Sequence, residues 1–376
     1  MKRFVETVAA VAALAALVGA QAAAQGGCRD YGSSEAPPVY RICEPEGTWN
    51  GDLVVFAHGY VAATEPVGIP ESQLVLPDGT SIPDLVTARG YAFAATSYPE
   101  NGLVIPMAVA DVVRLVAFFE ETVGPAERVL LTGGSEGGLV AVLGLERHPD
   151  VFDGGVAACG PIGSFRWQIQ WVGDFRVLFD VFFPGVLPGS PVAIPPEVLE
   201  DWDAVYVPRI LAALAADPGA AEQLLRVSRA AVDPGNPDSV AETVVGLLWY
   251  NIFGTNDAVE RLGGQPFDNS RRWYFGSDND WLLNWRVQRF RADPGALAAL
   301  EAFETEGRPG APLVTLHTTA DPIVPYLHEP AYTFKTFRSG AWTQRLHLPV
   351  GRYGHCAFTG EELLRAFGLL AWWVGP

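Results

Sequence analysis

Short runs of apolar residues recur towards both ends of the chain, and glycine, proline or polar residues bound each of them. Most positions in a run are apolar or small, whereas a strand with one face in water alternates apolar and polar residues. The pattern therefore predicts short strands that are buried on both faces. These runs lie at 53–57, 91–96, 129–131, 155–159 and 313–317, and a final strand is predicted near 344–348.

Helical periodicity separates several of these runs. Over residues 105–123 the apolar positions recur at the spacing of a helix with one buried face, and a second helical pattern ends near His148. Apolar strands that alternate with helices are typical of a parallel sheet covered by helices on both faces. The sequence thus predicts an α/β fold with a mostly parallel, doubly wound sheet.

The character of the chain changes after residue 163. Residues 164–310 are rich in proline and aromatic residues, hold 7 of the 11 tryptophans and contain several short helical patterns. We predict that residues 25–163 and 311–376 form one sheet domain and that residues 164–310 are a mostly helical cap inserted into it. The alternative is that these helices belong to the core of a single larger domain.

The first residues have the order of a secretory signal peptide. A lysine and an arginine precede an uncharged run over 8–20, and small residues at 22–24 suit cleavage, so we assign residues 1–24 to the signal. The run is too short to span a bilayer. Cys28 raises the question of a lipid anchor, but the residues before it lack the large apolar residue expected there. A secreted or periplasmic protein is expected, and a buried N-terminal helix is the alternative.

The net charge of the chain limits the kinds of molecule that it is expected to bind. The chain has 43 acidic and 25 basic side chains, which give a formal net charge of -18. Such a surface repels phosphates, so no nucleic acid partner is expected. No later stretch is long and apolar enough to predict a membrane span, and the sequence leaves the oligomeric state open.

Four cysteines in an exported chain predict two disulfides, for which three pairings can be drawn. Cys28 and Cys43 are close in sequence, and a bridge between them would hold the N-terminal arm. Cys159 and Cys356 then remain, and a bridge between them would clamp the loop that carries His355. Free, buried cysteines are the alternative.

A serine follows the apolar run at 129–131, within a turn crowded with glycine. Gly133, Ser135 and Gly137 have the Gly-x-Ser-x-Gly spacing between a predicted strand and a predicted helix, which is the setting of a nucleophile elbow. So sharp a turn needs neighbours without side chains. It lifts the hydroxyl beside the free N–H groups of a helix N-terminus, which stabilise anions. Ser135 is therefore the candidate nucleophile; an ordinary glycine-rich loop is the alternative.

A serine hydroxyl needs a base, and the base needs a partner that fixes its tautomer. His355 stands in a glycine-rich loop after the last predicted strand and is the candidate base, with His347 or His328 as alternatives. Asp321 follows the penultimate predicted strand and precedes a proline, so it is the candidate acid. Glu329 is the weaker substitute.

Two backbone N–H groups are candidates for stabilising an oxyanion. One belongs to Glu136, the residue after the serine, and the other to Tyr60, in the His58-Gly59-Tyr60 loop after the first apolar run. We expect His58 to brace this loop by hydrogen bonding. Only the amide of Glu136 is assigned, because its carboxylate would repel an anion unless it turned away.

The order Ser135, Asp321, His355, with the loop at 58–60 upstream, resembles that of the α/β-hydrolase superfamily. The exported form is similar to the bacterial esterases and peptidases of that group. The resemblance covers about residues 50–163 and 311–376. It implies the hydrolase fold and acyl transfer through the serine.

The sequence therefore predicts a secreted serine hydrolase of small carboxylic esters that acts through an acyl-enzyme. No metal or organic cofactor is expected, because no Cys/His cluster has zinc spacing and no dinucleotide-binding glycine motif opens a helix. A secreted aminopeptidase or prolyl-peptidase-like enzyme is one alternative, and a non-catalytic binding protein on a hydrolase fold is another. Acids considered for holding a peptide N-terminus are Glu200, Asp201, Asp203, Asp278 and Asp280.

Aromatic residues of the predicted cap have two interpretations. They can line an apolar pocket for an aryl or acyl group, or they can form the cap's own core, which is the interpretation we favour for most of them. These residues are Trp167, Trp171, Phe179, Phe182, Phe183 and Trp249.

Overall fold

The computed structural model describes residues 27–375, so the predicted signal peptide lies outside the described residues. Its strands are β1 (Cys28–Ser33), β2 (Ala36–Cys43), β3 (Asp52–Ala57), β4 (Ala92–Thr96), β5 (Arg128–Gly134), β6 (Gly154–Ala158), β7 (Leu313–Ala320) and β8 (Arg345–Tyr353). Its helices are α1 (Ile82–Thr87), α2 (Ile105–Thr122), α3 (Glu136–Arg147), α4 (Phe165–Phe182), α5 (Pro196–Glu200), α6 (Val207–Ala216), α7 (Pro218–Ser228), α8 (Ser239–Leu262), α9 (Asp280–Arg286), α10 (Pro294–Ala299), α11 (His328–Ser339) and α12 (Gly360–Val374).

The strands form one eight-stranded sheet in the order β1-β2-β4-β3-β5-β6-β7-β8. Strands β3 to β8 are parallel to one another, whereas the β1–β2 and β2–β4 pairs at one edge are antiparallel. Every residue of β3, β4 and β6 is buried, as their apolar runs predict. The predicted α/β class with a mostly parallel sheet is confirmed.

Helices cover both faces of the sheet, and alternate residues of β3 show this directly. Leu53 and Val55 pack into the cluster that contains the buried sides of α2 and α3. Val54 and Phe56 point the other way and share a cluster with Val86 of α1. Helix α12 covers the same second face over β6 and β7. Apolar residues at both odd and even positions are therefore buried, which explains the uninterrupted runs.

Sequence patterns do not predict the hairpin of β1 and β2. Most of its residues are exposed or half-buried, and a Pro37–Pro38 pair interrupts the apolar pattern in β2. Proline is tolerated here because β2 pairs with β4 only over Tyr40–Cys43, so one side of the strand is unpaired at 37–38 and needs no N–H donor. Cys28 lies opposite Cys43 in this pair, and a disulfide joins them. The second bridge joins Cys159 to Cys356, so the described chain contains both expected disulfides.

The helices α4 to α10 lie between β6 and β7, and we call residues 164–310 the helical segment. Helix α10 packs into the cluster of the sheet through Ala296, whereas helices α4 to α9 share another buried cluster, with Phe179 of α4, Leu224 of α7 and Leu247 of α8 among its members. Ile323 and Val324, which follow β7, also pack into this cluster. The helical segment is thus in direct contact with the loop that carries Asp321.

The aromatic residues of the helical segment fall into three environments. Phe179 and Phe183 are buried in its cluster, whereas Trp167 is 52% exposed. Trp171, Phe182 and Trp249 are half-buried against the same cluster.

Between residues 27 and 375, no helix combines the length and hydropathy that crossing a membrane requires.

Arg176 of α4 is fully buried and joins three parts of the helical segment. Its guanidinium donates to the Asp180 carboxylate at 2.9 Å, to the Asn251 side-chain oxygen at 3.0 Å and to the Pro188 carbonyl at 3.2 Å. Removing one partner of a buried ion pair leaves the other charge uncompensated. Arg176 therefore fixes how α4 packs on α8.

We predict that Arg176→Met lowers the free energy of unfolding by about 3–5 kcal/mol, because three acceptors lose their donor. Urea titration followed by tryptophan fluorescence measures this loss. The control is Arg286→Met at an exposed position of α9, with an expected change within about 0.5 kcal/mol. Equal losses in both variants would contradict the assignment.

Candidate active site

Ser135 occupies the turn between the end of β5 and the start of α3. Its φ is 56° and its ψ is -124°, a conformation that is costly for a residue with a side chain. A Cβ on Gly137 would lie 2.0 Å from the Ala57 carbonyl oxygen, and one on Gly133 would lie 2.2 Å from the Gly137 carbonyl oxygen. Both glycines are therefore required by contact, as the predicted nucleophile elbow implies.

The three candidate side chains follow the ends of β5, β7 and β8 and meet in one hydrogen-bonded chain. His355 Nε2 lies 2.8 Å from Ser135 Oγ, and His355 Nδ1 lies 2.7 Å from Asp321 Oδ2. The other carboxylate oxygen of Asp321 accepts from the backbone N–H groups of Ile323 at 2.8 Å and Val324 at 2.9 Å. The carboxylate is thus held in place from both sides.

Burial would raise the pKa of Asp321, but its attraction to His355 and its hydrogen bonds with His317 and His355 outweigh that effect. The result is a pKa of about 2, so Asp321 is ionised at neutral pH. An ionised carboxylate at Nδ1 favours the His355 tautomer whose Nε2 faces Ser135 with a free electron pair. In this arrangement His355 can accept the serine proton.

The alternative base and acid residues lie elsewhere. His347 contacts Thr315 and Tyr326, each at 2.9 Å, on the outer strand β8. His328 is buried, and its Nδ1 accepts from the backbone N–H of Gly163 at 3.2 Å. None of these contacts involves Ser135. Of the candidate bases, the structure brings His355 to the serine.

Glu329, the substitute acid, instead closes a buried cluster of charges behind Asp321. It pairs with Arg345 of β8 and lies 3.0 Å from His347 Nδ1. His317 is buried between the two acids, with Nε2 3.5 Å from Asp321 and Nδ1 3.4 Å from Glu329. Glu329 therefore balances positive charge and does not contact the candidate base.

His317 was not expected at the site from the sequence, which indicated only a strand residue. Burial lowers its pKa, but hydrogen bonds and attraction from Asp321 and Glu329 outweigh this and raise it to about 10. The imidazolium form is thus favoured at neutral pH. The four-residue spacing of His317 and Asp321 across the end of β7 was the one available signal.

The loop after β3 comes close to the serine. A Cβ on Gly59 would lie 3.1 Å from the Ser135 Cβ, so a larger residue there would have to displace its neighbours by a few tenths of an ångström. His58 contacts the Gly59 carbonyl oxygen at 2.7 Å, and burial lowers its pKa to about 4, which keeps it neutral. His58 therefore has the bracing contacts expected from the sequence, and Tyr60 follows directly after the close approach.

Glu136 begins α3, so its backbone N–H has no partner within the helix. Its side chain is buried, and burial together with the nearby charge of Asp257 raises its pKa to about 8. The Val104 backbone N–H and Arg261 offset part of this rise. The side chain is therefore largely protonated at neutral pH, and the repulsion that an ionised carboxylate would cause is avoided.

Two cavities meet at Ser135. The larger has a volume of about 410 Å³ and runs between the sheet, α1 and α12, with His355 at its edge and apolar residues such as Phe56, Val86 and Phe367 in its walls. The smaller has a volume of about 110 Å³ and lies under α4 and α8. A substrate carbonyl at Ser135 can therefore place one substituent in each cavity.

Tyr250 of α8 lines both cavities and was not identified from the sequence. Tyr250 and Ser135 line the same two cavities, and burial raises the pKa of Tyr250 above the ordinary range, which keeps the proton on oxygen. Helical periodicity predicts that α8 has a buried face, but it does not show that this face covers the serine. Tyr250 adds a hydroxyl donor from the helical segment to the site.

The Cys159–Cys356 disulfide ties the His355 loop to the end of β6. Within the described residues, one group of three potential metal ligands comes close enough to hold an ion, namely Cys159, His355 and Cys356. Both sulfur atoms are bonded to each other, which leaves only the imidazole as a ligand. This group does not fit a metal centre.

Neither a family model nor a curated protein sequence matches this chain. Its structure is similar to that of the esterase Pf2001 of Pyrococcus furiosus, with 13% identity, 93% of this chain and 92% of that chain covered, and a TM-score of 0.46. It is also similar to Est1E from Butyrivibrio proteoclasticus, with 11% identity and a TM-score of 0.41. The alignment covers 92% of this chain and 96% of Est1E.

A third similar structure is the acylaminoacyl peptidase of Pyrococcus horikoshii, with 11% identity and a TM-score of 0.44. The alignment covers 92% of this chain, which spans 40% of the length of that peptidase. The present chain itself has a mostly parallel eight-stranded sheet with a Gly-x-Ser-x-Gly turn between β5 and α3. It therefore has the fold of the α/β-hydrolase superfamily.

Proposed function

We propose that this protein is a serine hydrolase that cleaves carboxylic esters, with Ser135 as nucleophile, His355 as base and Asp321 as the acid that orients it. The observation that carries the proposal is the chain of two hydrogen bonds, of 2.7 Å and 2.8 Å, that ends at a hydroxyl between two cavities. A hydroxyl, an imidazole and a carboxylate in this order are the parts that nucleophilic acyl transfer needs.

In the first half of the reaction, His355 Nε2 takes the proton of Ser135 while Oγ forms a bond to the ester carbonyl carbon. The carbonyl oxygen becomes an oxyanion, and the backbone N–H groups of Tyr60 and Glu136 stabilise it. The carbon–oxygen bond to the alcohol then breaks, and the alcohol leaves with the proton from His355. Asp321 stabilises the imidazolium that exists between these two proton transfers.

In the second half, water attacks the acyl group on Ser135. His355 takes a proton from this water, and a second oxyanion forms in the same position. When the bond to Oγ breaks, His355 returns the proton to Ser135 and the carboxylic acid leaves. The enzyme regains its starting protonation, and no other reactant is consumed.

The cavity walls support an ester more than a peptide. Both cavities are mainly apolar, so they offer few partners for the amide groups of a peptide backbone. In the described part of the chain, the acids considered for binding a peptide N-terminus do not line either cavity. These are Glu200, Asp201, Asp203, Asp278 and Asp280.

The proposal includes a role for the helical segment and a location for the protein. Residues 164–310 act as a cap, since α4 and α8 cover the smaller cavity and α8 brings Tyr250 to the serine. The protein is exported, which the two disulfides support because such bonds persist in oxidising compartments. Its substrates are small-molecule esters that react at Ser135.

We predict that Ser135→Ala lowers kcat on 4-nitrophenyl esters by at least about a thousandfold, because the acyl-enzyme can no longer form. Purified protein is assayed on esters of increasing acyl length beside aminoacyl 4-nitroanilides. His355→Ala should cause a similar loss, whereas the matched His347→Ala variant should retain turnover. Anilide cleavage that exceeds ester cleavage would overturn the ester assignment, and full activity in Ser135→Ala would overturn the nucleophile.

We predict that removing the Cys159–Cys356 bridge lowers kcat about tenfold, because the loop that positions His355 loosens and small displacements at the base are costly. The test is a double Cys→Ser variant of these two residues, measured by steady-state kinetics. The control removes the Cys28–Cys43 bridge at the far edge of the sheet, which should leave kcat within about twofold. Equal kcat values in the two double variants would contradict the proposed clamp.

A further inference from the structure

The smaller cavity beside Ser135 contains a buried hydrogen-bond acceptor without a partner. Gln168 of α4 is 9% exposed and lines this cavity, and its Oε1 makes no hydrogen bond in the described part of the protein. Its Nε2 donates to the Ile323 carbonyl oxygen at 2.9 Å. Because a carbonyl can only accept, this contact fixes the amide orientation and keeps Oε1 free.

Other polar side chains of the same wall have partners in the protein. Tyr60 donates to the Phe253 carbonyl oxygen at 3.0 Å. Asn251 and Gln265 use their amide groups on neighbouring backbone and side-chain atoms of the helical segment. Gln168 is therefore the amide left to recognise a ligand, since a buried polar group without a partner is destabilising and rare.

The position of His355 decides which part of an ester enters which cavity. The base must return its proton to the departing alcohol, so the alcohol lies on the side of His355. His355 lines the larger cavity and not the smaller one. The larger cavity thus takes the alcohol part, and the smaller cavity, with Gln168, takes the acyl part.

The volume of the smaller cavity and the charge of its wall limit the size and charge of the acyl group. The smaller cavity, at about 110 Å³, is below the roughly 150 Å³ of a cavity that admits benzene, so it suits an acyl group of about four to six heavy atoms. Burial raises the pKa of Glu136, in the same wall, to about 8, and Asp257 nearby is paired with Arg261 at 2.6 Å. A neutral donor therefore enters at lower cost than an ammonium or a carboxylate.

We propose that the smaller cavity is the acyl subsite of an enzyme that prefers esters of short hydroxy acids, with Gln168 Oε1 accepting a hydrogen bond from the acyl hydroxyl. This inference rests on the ester hydrolase proposed above and adds the class of acid. Gln168 is a specificity-determining residue here, and it takes no part in the bond changes at Ser135.

The test compares kcat/KM for 4-nitrophenyl butyrate, 3-hydroxybutyrate (both enantiomers) and 3-aminobutyrate, each divided by its rate of alkaline hydrolysis. The wild-type protein should prefer one 3-hydroxy ester over butyrate by about 10- to 100-fold. In Gln168→Met this ratio should fall to about one, and the shorter amide of Gln168→Asn should lower it as well. Turnover of butyrate shows that each variant is folded.

The matched control is Gln170→Met, two residues along α4. Gln170 is equally buried but has partners for both amide atoms in Pro266 and Asp268, and it does not line the cavity. This variant should keep the wild-type ratio.

A wild-type ratio near one, an unchanged ratio in Gln168→Met or a preference for the amino ester would overturn the inference while leaving the ester hydrolase intact. Failure of the wild type on every ester would overturn both.

Discussion

The site depends on how closely the start of α3 approaches the sheet. No side chain separates the helix from β3, since a Cβ on Gly137 would lie 2.0 Å from the Ala57 carbonyl oxygen. The turn between β5 and α3 is consequently so tight that Ser135 adopts a φ of 56°. This conformation is costly, and the buried sheet on one side and α3 on the other maintain it. Everything else at the site is arranged around the hydroxyl that this turn exposes.

Charge is concentrated on the opposite side of the base. Asp321 and Glu329 are buried acids, and His317 lies between them while Arg345 pairs with Glu329. Opposite charges in contact reduce the desolvation cost that each would have alone. These four side chains are all buried, and together they keep Asp321 ionised. They also join β7 and β8 to α11. The acid that orients His355 is thus held by a network and not by one contact.

Sequence patterns predicted the central strands, the serine turn and the order of Ser135, Asp321 and His355, because buried parallel strands and sharp turns restrict residue types locally. They did not predict the hairpin of β1 and β2, whose exposed residues and prolines follow no strand pattern. The positions of Tyr250 and Gln168 at the site could not be predicted from the sequence either. Helical spacing shows that a face is buried, but only the packing of the helical segment on the sheet shows which residues reach the serine.

If His355 activates Ser135 as proposed, this one serine reacts with carbonyl-like electrophiles. A fluorophosphonate ester added in slight excess to the purified protein, followed by peptide mapping with mass spectrometry, tests it directly, because such reagents mimic the oxyanion and bind covalently to an activated hydroxyl. We expect one phosphonyl group per chain, on Ser135, and almost none in the same time when His355 is replaced by alanine. Labelling at another residue, or no labelling of the wild-type protein, would contradict it.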